Sequence, residues 1–272
     1  MIFASDLDQT LLYGARFLNE STPPYRVVEV LDGAPISHMT IKAIELLQEI
    51  HQQLLFVPVT TRTIEQYRRI VIFQDEIAPR YAITSNGGHV IRDGRVDEQW
   101  SQLVHSRLIH DCGPFDEMLA RFAEISNPEW VIREKTAEDL FFYSIIDRTQ
   151  MPVDELADFE RWVTRQNWSM SIQGRKLYLV PQAVNKRDAV LYVSRLEQDG
   201  HIVAAGDSLL DLPLLEGARL AIVPPHGELQ QRRNDGGDVS CLQFTHAEGI
   251  SASEEILQTV LSSYRQLIGI TQ

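Results

Sequence analysis

The 272-residue chain is 44% hydrophobic and 23% charged, a balance that fits a folded globular protein with a sizeable core in one large domain or two smaller ones. Its formal net charge of -13 excludes a broad basic face, and with it nucleic acid or an anionic membrane as the main partner; a phosphate would need a focused positive site or a metal. Cys112 and Cys241 lack CxxC spacing and make neither a disulfide framework nor a zinc site, and with no basic leader and no apolar run of membrane-spanning length the expected location is the cytoplasm.

Met1-Ile2-Phe3-Ala4 reads as a short apolar strand that stops in Ser5-Asp6-Leu7-Asp8-Gln9-Thr10. Residues i and i+2 of an extended chain point the same way, so Asp6 and Asp8 are expected to converge at the mouth of a sheet, where something cationic must offset them. A divalent metal or a lysine does so and leaves one carboxylate available as a nucleophile. Taken alone, the pair equally suits a turn or a helix cap.

Residues 11–39 are too polar and broken for a helix. Tyr25 to Val30, a turn at Asp32-Gly33 and Ala34 to Ser37 read as a β-hairpin near the Asp6 mouth. Thr40 N-caps a predicted helix to about Gln52. Leu54 to Val59 is a continuous apolar run, the pattern of a strand buried on both faces of a parallel sheet. It ends in Thr60-Thr61-Arg62-Thr63, where hydroxyls and a guanidinium make a plausible oxyanion pocket ahead of a helix over 64–70. Thr61 or Thr63 is expected to cap that helix, which leaves Thr60 as the ligand candidate. Tyr81 to Thr84 is a third strand, closing in Ser85-Asn86-Gly87-Gly88; Asn86 is a candidate for hydrogen-bonding a sugar or phosphate, with a turn role competing.

From about Gln99 to Pro181 the order becomes helix, strand, strand, helix, strand, strand, two αββ units whose strands would form one open antiparallel sheet. Residues 99–181 are therefore expected as an inserted α+β domain, with 1–98 plus 182–272 as the core. No linker is Ser- or Pro-rich; Gly87-Gly88 and Gly174 are the expected breaks. Beyond Pro181 the α/β pattern resumes, with a helix opened by Asn185-Lys186-Arg187-Asp188 and a strand Ile202 to Ala205 that ends in Gly206-Asp207-Ser208-Leu209-Leu210-Asp211. A strand over Leu220 to Val223 and an amphipathic helix Glu254 to Leu267 follow, with Gln230 to Asp238 expected as an exposed loop.

Polar groups thus fall at four strand or helix ends: Asp6 with Asp8, Thr60, Lys186, and Asp207 with Asp211. In an open parallel sheet ligands sit outside the carboxyl ends of the strands, so groups distant in sequence can meet there. Two acid pairs suit Mg2+, lysine and threonine suit phosphate oxygens, and the chemistry that fits is phosphoryl transfer to a carboxylate.

This order of motifs resembles the haloacid dehalogenase superfamily of phosphohydrolases: Asp6-Leu7-Asp8-Gln9-Thr10 matches its first motif, Thr60 its threonine, Lys186 its lysine, and Gly206-Asp207-Ser208 with Asp211 its acidic motif. The αββαββ insert resembles the larger cap class, which includes sucrose-phosphate and mannosylphosphoglycerate phosphatases and phosphomannomutases. The resemblance implies a doubly wound, mainly parallel α/β sheet with an inserted α+β cap domain. It implies Asp6 as nucleophile, Asp8 as acid and base, and Thr60 and Lys186 on the phosphate. Mg2+ would be held by Asp6, Asp207 and the Asp8 carbonyl, with Asp211 in support. The substrate implied is a small phosphorylated metabolite such as a sugar phosphate, with specificity set by the cap; Arg175 and Lys176 after Gly174 are the cap candidates for binding it, and a solvated basic turn is the alternative.

The chain departs from that pattern at Thr61, where the branch has glycine, and at Leu210, where it has asparagine; the second concerns the metal's outer shell. Gly206-Asp207-Ser208-Leu209 also spells the signature of a serine-hydrolase family, but it lies far from the start of the chain and lacks a late Asp-x-x-His pair. A phosphosugar mutase and a non-catalytic phosphometabolite-binding module are the rival readings.

Overall fold

The computed structural model describes residues 1–269. Ile2–Ser5 forms β1, buried throughout. Tyr25–Leu31 (β2) and Ala34–Thr40 (β3) pair as an antiparallel hairpin whose turn residues Asp32 and Gly33 both take positive φ, the backbone that suits a two-residue hairpin loop. The Thr40 hydroxyl accepts the Ala43 N–H and so caps α1 (Ile41–Gln53), which buries Ala43, Ile44, Leu46, Leu47 and Ile50 at helical spacing. After β4 (Leu55–Pro58), Thr63 and Gln66 satisfy each other's backbone donors and start α2 (Ile64–Arg68). β5 (Tyr81–Thr84), β6 (His89–Arg92) and β7 (Arg95–Val96) form a three-stranded antiparallel sheet.

The inserted segment carries α3 (Glu98–Asp111), α4 (Phe115–Ala123), β8 (Val131–Ala137), β9 (Phe141–Ile146), α5 (Val153–Arg165), β10 (Trp168–Gln173) and β11 (Lys176–Pro181). Its four strands make an antiparallel sheet in the order β10-β11-β9-β8. Strand alternation turns Phe142, Ile146, Leu177, Leu179 and Trp168 to one face, where they pack with Met118, Phe122, Leu156, Phe159 and Val163 of the helices. The chain then returns through α6 (Lys186–Glu197), β12 (Ile202–Ala205), α7 (Leu212–Glu216), β13 (Leu220–Val223), α8 (Gly227–Asn234), β14 (Leu242–Phe244) and α9 (Ala252–Leu267). Two compact units result, Met1–Val96 with Lys186–Gln272, and Asp97–Asn185.

The first unit is built on a five-stranded parallel sheet in the order β14-β13-β12-β1-β4. β1 lies inside it, with Ser5 level with Ala205 on one side and Pro58 on the other. That register makes three strands end on one line, so Asp6, Asp207 and Thr60 all leave the sheet at the same edge.

The Tyr81–Thr84 strand pairs with β6 in a separate sheet and touches the β4 edge through a single bridge, Val59 to Ile83. Proline is the reason: the Leu55 and Val59 amides bond to the β1 side, so alternate amides face β5, and Pro58 has none to give before Thr60 reaches the Ile83 carbonyl. Residues 227–234, expected in part as loop, are helical although only Leu229 is buried, because tertiary contacts and not periodicity set the start of α8. Gly87-Gly88 and Gly174 are turns between paired strands and not breaks between units.

Candidate active site

Asp6, Asp207 and Asp211 are buried, and each presents a carboxylate oxygen within 4.8 Å of the others. Lys186, at the start of α6 and 1% exposed, places its ammonium 2.5 Å from Asp6 Oδ1 and 2.5 Å from Asp211 Oδ1. Asp211 is fully committed: its Oδ2 accepts from Ser208 Oγ at 2.7 Å, the Ser208 N–H at 3.0 Å and the Asp207 N–H at 3.2 Å. It therefore ties the loop after β12 to Lys186. Gly206 is required beneath it, since a Cβ there would lie 2.5 Å from the Asp211 side chain.

The electrostatics follow from burial and crowding. Burial and the Asp211 and Asp8 charges push the Asp6 carboxyl up to about 7 against the pull of Lys186. Burial, with Asp6 and Asp211 beside it, raises Asp207 well above the usual carboxylate range. Burial opposes the charge on Lys186, yet Asp211 and Asp6 outweigh it and hold the ammonium above its ordinary value. Three carboxylates against one ammonium leave about two negative charges in excess, and no side chain among the described residues hydrogen-bonds the Asp207 carboxylate. Hard oxygen donors, an excess of that size and a buried carboxylate without a donor fit a divalent cation held by Asp6 and Asp207.

Asp8 faces a different partner. Its two oxygens each accept a hydrogen bond from Arg62 at 2.8 Å, from Nε and from Nη2, and the Arg62 Nη1 reaches Glu29 Oε2 at 2.7 Å. Burial works against the Arg62 charge, but Asp8 and Glu29 raise its pKa further. Thr60 is buried, and its hydroxyl oxygen accepts the Arg62 N–H at 3.1 Å, which leaves its own O–H free to donate. The Ser85–Asn86 turn, with both residues at positive φ, is stitched to this loop: the Ser85 N–H bonds the Arg62 carbonyl and the Asn86 N–H the Thr60 carbonyl.

The sequence profile of the sucrose-6F-phosphate phosphohydrolase family matches residues 1–250. The chain belongs to that family. It is a phosphatase of the haloacid dehalogenase superfamily, as the order of its motifs implied. Among solved structures, the sucrose-phosphatase of Synechocystis sp. PCC6803, in complex with sucrose and phosphate, shares 17% identity over 96% of this chain and 97% of that one, with a TM-score of 0.67. The subclass IIB sugar phosphatase BT4131 shares 12% over 99% of each chain (TM-score 0.62), and protein 0175 of Thermoplasma acidophilum 13% over 95% and 96% (TM-score 0.62). These likenesses place the fold, a core α/β sheet with an inserted cap unit. No sequence among curated proteins matches.

Within this family framework, the structure brings Asp6, Asp207, Asp211 and Lys186 into one cluster and sets Asp8 beside it on Arg62. Asp8, expected among the metal ligands through its backbone carbonyl, points its side-chain carboxylate to the Arg62 guanidinium. Arg175 and Lys176 belong to the other unit. Arg175 is exposed, and the Lys176 ammonium lies 5.5 and 5.9 Å from the ring centroids of Tyr143 and Tyr178. Two features were missed. Arg62, read as part of an oxyanion pocket, is taken up by carboxylates, and Glu29, its second partner, carried no signal at all within a hairpin of mixed residues. Among the described residues no helix is long and apolar enough to cross a membrane.

Proposed function

We propose that the protein is a Mg2+-dependent phosphomonoesterase that takes a small sugar phosphate through an aspartyl-phosphate on Asp6. The observation that carries the reading is the division of one Asp-x-Asp motif between two environments: Asp6 in a cluster of carboxylates balanced by Lys186, Asp8 clamped on a guanidinium. Two acids with separate surroundings can take separate roles.

Asp6 is the attacking group. Its Oδ1 is oriented by Lys186, and its Oδ2 lies 3.4 Å from Thr10 Oγ1. Lys186 has three N–H groups, two of them directed to Asp6 and Asp211, so the third can meet a phosphate oxygen. The Thr60 O–H is the second donor to the phosphate, and Asn86 stands on the adjoining turn as a further polar contact. Both donors stabilise the charge that grows on the equatorial oxygens as phosphorus passes from the leaving oxygen to Asp6. A divalent cation at Asp6 and Asp207 would add charge neutralisation of the phosphoryl group.

Asp8 moves the protons. A carboxylate gripped on both oxygens by a guanidinium is the anion, the form that takes a proton from water when the aspartyl-phosphate is hydrolysed. To protonate the departing sugar oxygen, Asp8 must carry a proton and open one of its two contacts with Arg62. Arg175 and Lys176 are proposed as cap residues that recognise the sugar or its charge.

The test is phosphate release from a panel of phosphorylated metabolites, sucrose 6F-phosphate and hexose phosphates first, with and without Mg2+, and with Asp6→Asn as control. A rate that is indifferent to Mg2+ or to Asp6→Asn would defeat the reading. A phosphorylated protein that returns its phosphoryl group to sugar without releasing phosphate would select the mutase alternative.

A further inference from the structure

We infer that Glu29, on the β2–β3 hairpin, is a positioning residue for Asp8, acting through Arg62. The inference rests on the phosphatase mechanism proposed above and adds to it the residue that aims the acid.

Glu29 is 1% exposed in a strand whose other residues, Val28 apart, lie at the surface. A regular strand would turn only one of two neighbours inward, yet Val28 and Glu29 are both buried. The ladder with β3 explains it: the register slips on either side of Glu29, between Val27 and Glu29 and between Glu29 and Val30, so an extra residue is accommodated and the side chain is redirected. Val28 joins the hydrophobic core, which anchors the hairpin by apolar contact. Glu29 is not needed for that anchoring, and a buried ion pair is on its own a poor source of stability.

What Glu29 touches is specific. Its Oε2 accepts from Arg62 Nη1 at 2.7 Å and from Ser37 Oγ at 2.6 Å, and its Oε1 accepts from Arg69 Nε at 3.3 Å. Ser37 in turn accepts from Arg62 Nη2 at 3.2 Å, so the guanidinium is held from the hairpin side by two residues. The opposite edge of the same guanidinium holds both oxygens of Asp8. Arg62 is 10% exposed and Asp8 48%, so the chain of contacts runs from a buried, fixed carboxylate to one that meets solvent. Two carboxylates and two guanidiniums balance in charge. Removing the Glu29 charge either lets Arg62 shift, which displaces Asp8, or leaves Arg62 to Asp8 alone, which grips it harder. Both outcomes impair proton delivery to a leaving group, and both leave the Asp6 cluster in place.

The measurement is kcat/KM across 2,4-dinitrophenyl, 4-nitrophenyl and phenyl phosphate and glucose 6-phosphate, for the wild type, Glu29→Gln, Ser37→Ala and Asp8→Asn. This ratio reports steps up to transfer onto Asp6, so activation of water does not enter. Dinitrophenolate departs without a proton, whereas a sugar alkoxide does not. Glu29→Gln is expected to lose roughly 10- to 100-fold on glucose 6-phosphate and less than about threefold on the dinitrophenyl ester, as a misaimed proton donor would. Plotted against leaving-group pKa, its rates fall more steeply than wild type and approach the slope of Asp8→Asn; Ser37→Ala shifts the same way by less, and carries the test alone if Glu29→Gln does not fold. A loss equal for all four esters, or no change in slope in either variant, with wild type active, overturns the inference and leaves the phosphatase reading standing. Wild type inert toward every ester, at the level of Asp6→Asn, removes that reading and the inference with it.

Discussion

At Asp6, Asp207 and Asp211 the chain gathers three buried carboxylates, burial raises Asp6 and Asp207 above the usual carboxylate range, and Lys186 is the one ammonium set against them. This has a sign that can be measured. A carboxyl raised from 3.8 to about 7 in the folded state keeps its proton while the unfolded chain loses it, so this contribution to stability is full below pH 3.8 and is lost as pH rises through about 7. Lys186 does not alter that trend below pH 8, because its own shift is upward from 10.5. Mg2+ held at this cluster, as proposed, would bind the ionised carboxylates, so its stabilising effect would grow over the same window. Thermal unfolding at pH 5.5 and pH 8, with and without Mg2+, should show the larger Mg2+-induced rise in Tm at pH 8; an equal or larger rise at pH 5.5 would count against the cluster as the cation site. Asp6→Asn should lower phosphate release on the order of 10³-fold or more if Asp6 is the nucleophile proposed above. These residues were legible in the sequence because chemistry of this kind concentrates acids at strand ends. The partnership of Asp8 with Arg62 was not, because nothing in Thr60-Thr61-Arg62 says whether a guanidinium will meet an anion from solvent or a carboxylate from the chain.

Among the elements, the loop after β13 shows how backbone shape supports the site. Gly227 has φ +77°, and a Cβ there would fall 2.4 Å from Asp207 Oδ2 and 2.7 Å from the Asp207 carbonyl. The same carbonyl accepts the Leu229 N–H, so the first turn of α8 is fastened to the acidic loop. Gly227→Ala must strain the turn and displace Asp207. The expected result is a roughly 10- to 100-fold weaker dependence on Mg2+, read from the rate as a function of Mg2+ concentration, by analogy with the loss of groups that orient metal ligands. The start of α2 offers a contrast. Thr63→Ala removes a cap whose worth is about 1 kcal/mol, and the cost should appear in denaturant unfolding with the Mg2+ dependence intact. Capping residues announce themselves in sequence, since Thr63 with Gln66 and Thr40 before α1 are local signals. α8 does not, because seven of its eight residues lie outside the core and its position depends on a contact with a strand end some twenty residues earlier.

Across the molecule, each unit closes its own core: one around the parallel sheet, the other around Phe122, Trp130, Phe142, Phe159 and Trp168. Trp130 is 1% exposed, packs edge-on to Phe122 at 5.7 Å and donates its Nε1–H to the Ile125 carbonyl at 3.1 Å. Trp130→Ala should cost the inserted unit about 3–5 kcal/mol. Unfolding followed by tryptophan fluorescence should register that loss, while the Mg2+-induced stabilisation of the parallel-sheet unit stays unchanged. The sequence by itself determined the alternation of apolar runs and polar strand ends, hence the α/β class, the inserted αββαββ segment and the identity of the acids and the lysine, because period, capping and composition act over a few neighbouring residues. Only the tertiary structure decided which sheet β5 would join, that Asp211 would bind Lys186 and its own loop, and that a bulge would turn Glu29 inward onto Arg62. Those outcomes depend on register between distant strands and on how buried charges choose partners, and no local pattern encodes either.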